Sequence, residues 1–457
     1  MLINRILSFV VLFTILLFCF PVMAADYTAA EMQAKLNDVK NGNEFAKIQA
    51  PLFFIDHPAT PVAYDILLYA LTNELSVDIR YNLASAVSLY KNDTALPALK
   101  KYLDDVVKTG KSNLQFDNAY VAVATIGGNE AIEIVNNGLK SDNVKVKNAS
   151  VRAVAYGLKD LPRVFTFLSD NEKSTRITAI EVLEYVATPA EAFDNLQPLL
   201  ARKADKDEYD AILAAMTTIR DPRAVDALVA ALENENPDLR VIAAKNMGEK
   251  KVDKIVDALI KALATDKVAE VRRQAVESLT SLSDPKAIPF FIEALKDNNV
   301  GVRAGAAKAL GTEAFVDKTA FQPLLDALAD EAGVVSANVA LSLGAYQYKE
   351  AIKPLQLAMR NEYNLTRSNA IRSLFAIGGD EVMDIIGKGM AREVDRKVLS
   401  SLIYVMKKMK TDKEAASKYI DMAIKNSKDD NTRLFNEGHS AQIQLGGMPK
   451  APAPAAP

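Results

Sequence analysis

The side chains with the widest chemical repertoire are few. Histidine occurs twice, at His57 in Ile55-Asp56-His57-Pro58 and at His439 in Glu437-Gly438-His439-Ser440, and cysteine once, at Cys19. A catalytic nucleophile needs a base within hydrogen-bond reach, and a transition-metal centre needs several convergent ligands. Two distant histidines and one cysteine supply neither, and a single thiol excludes an internal disulfide framework. No P-loop, G-x-G-x-x-G or G-x-S-x-G sequence occurs. No catalytic, metal or cofactor-binding residue is therefore assigned, and the chain is read as a non-enzyme.

Charge is the remaining chemistry. The 457 residues hold 55 Lys and Arg against 58 Asp and Glu, a net charge of −3, which excludes a strongly basic nucleic-acid binder. There is no Trp, which counts against a sugar platform. Lys407-Lys408-Met409-Lys410 with Lys413 is a local basic run, interrupted by Asp412 and Glu414 and read as a solvated helix end. An acid or amide recurs at Glu74, Asp142, Asp170, Asn234, Asp266, Asp297, Asp330 and Asn361. Its spacing marks a structural device rather than a ligand row, as the surrounding elements show.

Those acids and amides precede by six residues eight of eleven anchor positions, which fall at Arg80, Phe116, Asn148, Arg176, Tyr209, Arg240, Arg272, Arg303, Ser336, Arg367 and Arg396. Small or apolar residues fall three and seven places after each anchor, one face of a helix. A turn such as Ser283-Asp284-Pro285 or Gly127-Gly128-Asn129 then opens a second helix, with Asp as cap and Pro at the first helical position. The period is about 31 residues. No lone helix pair can bury its apolar face, so neighbours must stack. The expected fold is all-α, a right-handed α-solenoid (superhelix) of about 11–12 stacked helix pairs.

Val302-Arg303-Ala304-Gly305-Ala306-Ala307-Lys308-Ala309-Leu310-Gly311 and Asp284-Pro285-Lys286-Ala287-Ile288 carry a resemblance to the short HEAT-like repeat of phycobilisome-lyase type, clearest over 205–345. It implies the solenoid strongly and function weakly, since such repeats serve scaffolds, regulators and a few enzymes. Deoxyhypusine hydroxylase, a HEAT-like enzyme, holds iron on paired His-Glu motifs, and this chain has no His-Glu dipeptide.

Residues 1–24 read as a secretory signal peptide. Arg5 is followed by an apolar run from Ile6 to Phe20, then Pro21 and Val22-Met23-Ala24 before a cleavage point at Ala25. Phe18 before Cys19 argues against lipidation. The expected organisation is a signal at 1–24, an N-terminal helical cap at 25–60, the repeat array at 61–410, a C-terminal helical cap at 411–445 and a flexible Pro/Ala-rich tail at 446–457. The expected location is the periplasm of a bacterium or the medium, with no transmembrane span in the mature chain.

With no chemistry to assign, the expected role is a scaffold for a protein partner of the cell envelope. A small-ligand or envelope-polymer binder and an enzyme-maturation or lyase-like factor are the alternatives. The second helices are expected to line the concave face. Their exposed columns nominate Lys254, Lys261, Phe290, Glu293, Asp326 and Lys353 as the protein-binding surface, with Phe290 as the aromatic anchor. The export expectation has a direct check. Intact mass of exported material should place the N-terminus at Ala25, and a mass retaining Arg5 and Cys19 would contradict it.

Overall fold

A computed structural model describes residues 29–56, 61–74, 76–110, 112–201, 205–427 and 432–445. The signal sequence, His57 and the Pro/Ala-rich tail lie outside the described residues. Everything described is helix, turn or coil, without a β-strand. The chain divides into two compact units between Ala224 and Val225.

The first unit contains α1 (Ala29–Asn41), α2 (Glu44–Asp56), α3 (Pro61–Asn73), α4 (Val77–Ser88), α5 (Leu96–Thr109), α6 (Asn113–Ile126), α7 (Gly128–Leu139), α8 (Val144–Arg152), α9 (Leu161–Phe167), α10 (Lys173–Val186), α11 (Pro189–Leu196) and α12 (Lys206–Thr218). Helix α13 (Pro222–Ala231) carries the boundary. The second unit continues with α14 (Pro237–Met247), α15 (Asp253–Thr265), α16 (Ala269–Leu282), α17 (Ile288–Ala294), α18 (Val300–Ala309), α19 (Lys318–Ala327), α20 (Gly333–Tyr346), α21 (Ile352–Ala358), α22 (Asn364–Gly378), α23 (Met383–Gly389), α24 (Arg396–Met406), α25 (Lys413–Asn426) and α26 (Thr432–Gln444). From α4 onward the even-numbered helices through α24 carry the anchors, and odd-numbered helices alternate with them.

Local chemistry sets these boundaries. Asn236, Asn299 and Asp395 cap α14, α18 and α24 through their side-chain oxygens. Ser112 with Gln115, and Thr188 with Glu191, form reciprocal capping boxes at α6 and α11. Asp284 accepts from the Lys286 N–H, and Pro285 opens the short 3₁₀ turn before α17. The turn into α7 needs positive φ at both Gly127 and Gly128, which a side chain would strain. Helix α8 widens into a π turn at Ala153–Leu158, closed by Lys159 in the left-handed region.

The recurring acid fastens each repeat to its neighbours. Arg240 Nε and Nη2 donate to the Asp266 carboxylate at 2.8 and 3.0 Å. Asp266 also accepts from the Val268 N–H, and its backbone carbonyl accepts from Arg272 Nη1. Arg272 then forks onto Asp297 at 2.7 and 2.8 Å. The Asp297 carbonyl accepts from Arg303, which forks onto Asp330 at 2.7 and 3.1 Å. Each arginine thus holds its own turn by the backbone and the next repeat by a bidentate ion pair. Arg176 with Glu208 and Arg367 with Glu393 repeat the fork, and Arg80 meets Asp105 through one nitrogen.

Two anchors need correction. Lys147, not Asn148, pairs with Asp170 at 2.8 Å. Arg396 opens α24 instead of sitting at its anchor. Its column is taken by the buried Leu399, because α24 begins after the Asp395 cap as α22 begins after Tyr363. Where Ser336 replaces arginine, its Oγ lies 2.9 Å from Thr366 Oγ1.

Between ladder rungs, small residues let anchor helices approach. Ala275, Ala306, Ala307 and Ala340 are fully buried. A Cβ on Gly311 would stand 2.7 Å from the Ser342 Cα, too close for any side chain. Replacing Ala275 or Ala306 by leucine should therefore cost about 1–3 kcal/mol. Replacing the exposed Lys308 should stay within about 0.5 kcal/mol. Urea melts followed by circular dichroism measure both, and the reverse ranking would contradict these faces.

The ladder also predicts a pH response. Burial pushes the Asp297 carboxyl up, but the Arg272 fork, the Asn299 N–H and the charges of Arg272 and Arg303 outweigh it, holding it below the usual range. Asp266 and Asp330 are lowered on the same pattern. A depressed carboxylate stabilises the fold above its unfolded pKa, and that stability is lost as pH falls through the folded value. Asp297→Asn should cost about 2 kcal/mol at neutral pH, the worth of a charge-assisted pair. Its deficit against wild type should shrink below about pH 4. A deficit independent of pH would contradict the ladder.

Candidate functional site

The two helix rows offer solvent different faces. In the second unit the anchor helices are joined directly, side chain to backbone. Asn338 Nδ2 on α20 donates to the Ala304 carbonyl of α18 (2.9 Å), as does Ser342 Oγ to Ala307 (2.7 Å) and Tyr346 OH to Leu310 (3.0 Å). Asn369 on α22 donates to the Ala337 carbonyl of α20 at 2.8 Å. Helices of the other row touch their successors sparsely, and their polar links are mostly long exposed side chains. Lys254 reaches Asp226 at 2.6 Å, Lys261 reaches Glu233 at 3.3 Å, and Lys349 reaches Glu381 at 3.0 Å.

In a curved stack the more closely packed row lies inside. Within the second unit the anchor row is therefore inner and the second helices are outer. The width of the exposed faces agrees. Helix α16 exposes a stripe one residue wide, through Glu270, Glu277 and Ser281, because neighbours flank it on both sides. Helix α17 exposes adjacent positions at Pro289, Phe290 and Glu293.

This corrects the expected orientation. Lys254, Lys261, Phe290, Glu293, Asp326 and Lys353 are all exposed on α15, α17, α19 and α21, but those are outer helices. The helical period located the buried face of every element, but gave no sign of which row packs more tightly. Phe290 is 36% exposed and not core, whereas its neighbour Phe291 is fully buried edge-on against Phe315 at 5.1 Å. The nominated charges are partly engaged. Lys254 and Lys261 pair with the preceding repeat, and Asp326 accepts from Gln322 at 2.8 Å.

The inner stripe presents one column, five residues past each anchor: Lys245, Glu277, Lys308, Leu341, Arg372 and, at the equivalent place on α24, Tyr404. Its chemistry changes along the chain. Leu341 is 50% exposed and Tyr404 42%. The basic run noted in the sequence ends here, with Lys407 and Lys408 beside Tyr404. Two adjoining hollows lie between α22, α24 and α26, lined by Leu365, Arg372, Lys397, Ser400, Tyr404 and Glu437 among others.

In the first unit the corresponding positions include Arg152, which lies between Asp117 (3.3 Å) and Glu181 (2.9 Å). Burial raises the Asp117 carboxyl, and Arg152 opposes that rise without cancelling it. Arg152 immediately precedes the π turn, so this ion triad holds α6, α8 and α10 where the helix geometry changes. His439, the histidine among the described residues, joins no metal-binding cluster. His439 is half-buried and stacks on Phe435 at 4.6 Å. Among the described residues no group of three His, Cys, Asp or Glu side chains is placed to hold a metal. No helix among them is long and apolar enough to cross a membrane.

Comparison with known proteins bears on the fold. The family model for HEAT repeats matches residues 194–279, 225–311, 256–337 and 321–407. A chain in the structure describing Kap95p and RanGDP is similar over 92% of this chain and 67% of its own, at 11% identity and a TM-score of 0.53. The karyopherin Kap121p bound to the SUMO protease Ulp1p is similar over 92% of this chain and 54% of its own, at 14% identity and a TM-score of 0.52. This chain thus spans about half the length of that karyopherin. The phycocyanin lyase CpcE–CpcF complex of Nostoc sp. PCC7120 aligns with 50% of this chain at 20% identity and a TM-score of 0.28, too low to bear on function. Comparison with curated sequences finds no match. Repeat signature, helix pairing and similar solved structures agree: residues 194–407 match HEAT repeats, and the fold is an all-α solenoid.

Proposed function

We propose that this protein is a non-catalytic scaffold, exported to the periplasm or secreted, that holds a protein partner of the cell envelope along the inner stripe of its second unit. The observation that carries it is the stripe itself. One solvent-facing side chain recurs on each of six successive anchor helices, from Lys245 to Tyr404, and the column mixes charge, aliphatic and aromatic character. A partner lying along it touches many repeats while each contributes modestly, which is how solenoids build extended binding surfaces. A mixed polar and apolar surface suits protein better than a phosphate backbone. The likeness in fold to Kap121p, solved with Ulp1p bound, supports a protein-binding solenoid. Export rests on the leader read from residues 1–24.

The outer residues Phe290, Glu293 and Asp326 remain the competing surface, because Phe290 is an aromatic left facing solvent. A pull-down from a periplasmic extract on the immobilised mature chain separates the two. Wild type should retain a stoichiometric protein. Reversing Lys245, Glu277 and Lys308 together should weaken retention about tenfold, whereas Phe290→Ala with reversal of Glu293 and Asp326 should leave it unchanged. Circular dichroism should be the same for all. The opposite pattern would move the partner to the outer row, and no retained protein would contradict the scaffold role.

A further inference from the structure

The C-terminal end of the inner stripe departs from the electrostatic habit of the rest. Elsewhere the arginines of the anchor row meet carboxylates, as the ladder shows. Arg367 on α22 still does, but the solvent-facing cations beyond it on α22 and α24 do not. Arg372, Lys407 and Lys408 converge on the ring of Tyr404, at 5.7, 5.4 and 4.4 Å from its centre. Arg396 and Lys397 stand at the other end of α24. Among the described residues, none of these five cations has a carboxylate within ion-pair distance. The ring offsets part of the crowding through cation–π attraction, and Lys408 donates to the Tyr404 hydroxyl at 2.7 Å. The concentrated positive field lowers the Tyr404 phenol, first through the Lys408 hydrogen bond and charge, then through Arg372 and Lys407. Like charges gathered without a directly paired carboxylate are a cost that an anionic occupant reduces.

Geometry narrows the occupant. From Lys397 to Lys408 the cations are strung over about 16 Å at helical rise, too far apart to converge on a single phosphate. They alternate with apolar side chains, Leu365 (41% exposed) on α22 and Tyr404 on α24, with Leu341 one helix earlier. Helix α26 closes the far side with Asn436, Glu437 and Ser440. Glu437 is the acid lining both hollows, and Ser400 Oγ donates to it at 2.8 Å. The ligand that matches must carry several separated negative charges with apolar groups between them, and must fit a stripe one residue wide.

We propose that the α22–α24 end of the inner stripe is a docking site for an acidic peptide segment, whose carboxylates meet Arg372, Lys397, Lys407 and Lys408 while its apolar side chains lie on Leu341, Leu365 and Tyr404. This rests on the inner stripe being the partner-binding face and adds the chemistry of the segment it takes. Fully folded mature protein is titrated against a fluorescein-labelled peptide of interspersed glutamate and leucine, followed by anisotropy. The peptide should bind, with affinity falling as salt rises. The triple variant Arg372→Ala, Lys397→Ala, Lys408→Ala should weaken it about tenfold or more, and Leu365→Ser several-fold, with an unchanged thermal melt. Three outcomes overturn the site. They are no binding, binding insensitive to the three cations, or equal competition by polyglutamate, inorganic phosphate or phosphatidylglycerol vesicles, which would mean a bare anion surface. The stripe as a whole is judged separately: if the peptide fails but Lys245, Glu277 and Lys308 still control extract binding, only the acidic-segment assignment falls.

Discussion

The arginine–carboxylate relay of the anchor row is the interaction on which the rest depends. Each rung joins three things at once: the arginine's own turn, the acid of the next repeat, and the backbone N–H two residues beyond that acid. The geometry is bidentate and half-buried, so it fixes direction as well as distance. Because the same rung recurs from Arg240 to Arg303, the anchor helices of the second unit are set at a repeated spacing. Alanine and glycine at the contacts then let backbones meet closely enough for Asn338, Ser342 and Asn369 to donate across.

A tightly tied row beside a loosely tied one has a geometric consequence. The tied row lies inside, and its exposed surface narrows to a single column. Function in a repeat array of this kind does not need a pocket with convergent catalytic groups. It needs a column whose chemistry can vary repeat by repeat while the ladder beneath it stays constant. Here the column runs from Lys245 and Glu277 through Leu341 to the cations around Tyr404, while the buried positions beneath it stay apolar, from Ala243 and Ala275 to Val339 and Leu402.

Much of this was legible in the sequence, for identifiable reasons. The helix pairs followed from apolar spacing and from Asp-Pro and Gly-Gly turns. The acid or amide six places before eight of the anchors was read as a stacking device, and Asp266, Asp297 and Asp330 act as one. Two anchors were misplaced because apolar spacing alone leaves the register open by a residue or more where the ladder pair is irregular. Lys147 fills the role beside Asn148, and Arg396 is a helix-opening residue whose column belongs to Leu399. The inner face was assigned to the wrong row, since periodicity within one helix does not say which helices approach across repeats. The cations at Lys407 and Lys408 were visible as a run, but Arg372, thirty-five residues earlier than Lys407, joins them only through the fold.

The proposed partner lies on the anchor-helix stripe of the second unit. Site-specific photocrosslinking tests it most directly. A photoreactive side chain is placed at Leu341 on the inner stripe in one protein and at Glu293 on the outer row in another, and each is irradiated with periplasmic extract. A partner crosslinked from position 341 and not from 293 is the predicted result. Crosslinking from 293 alone would contradict the account.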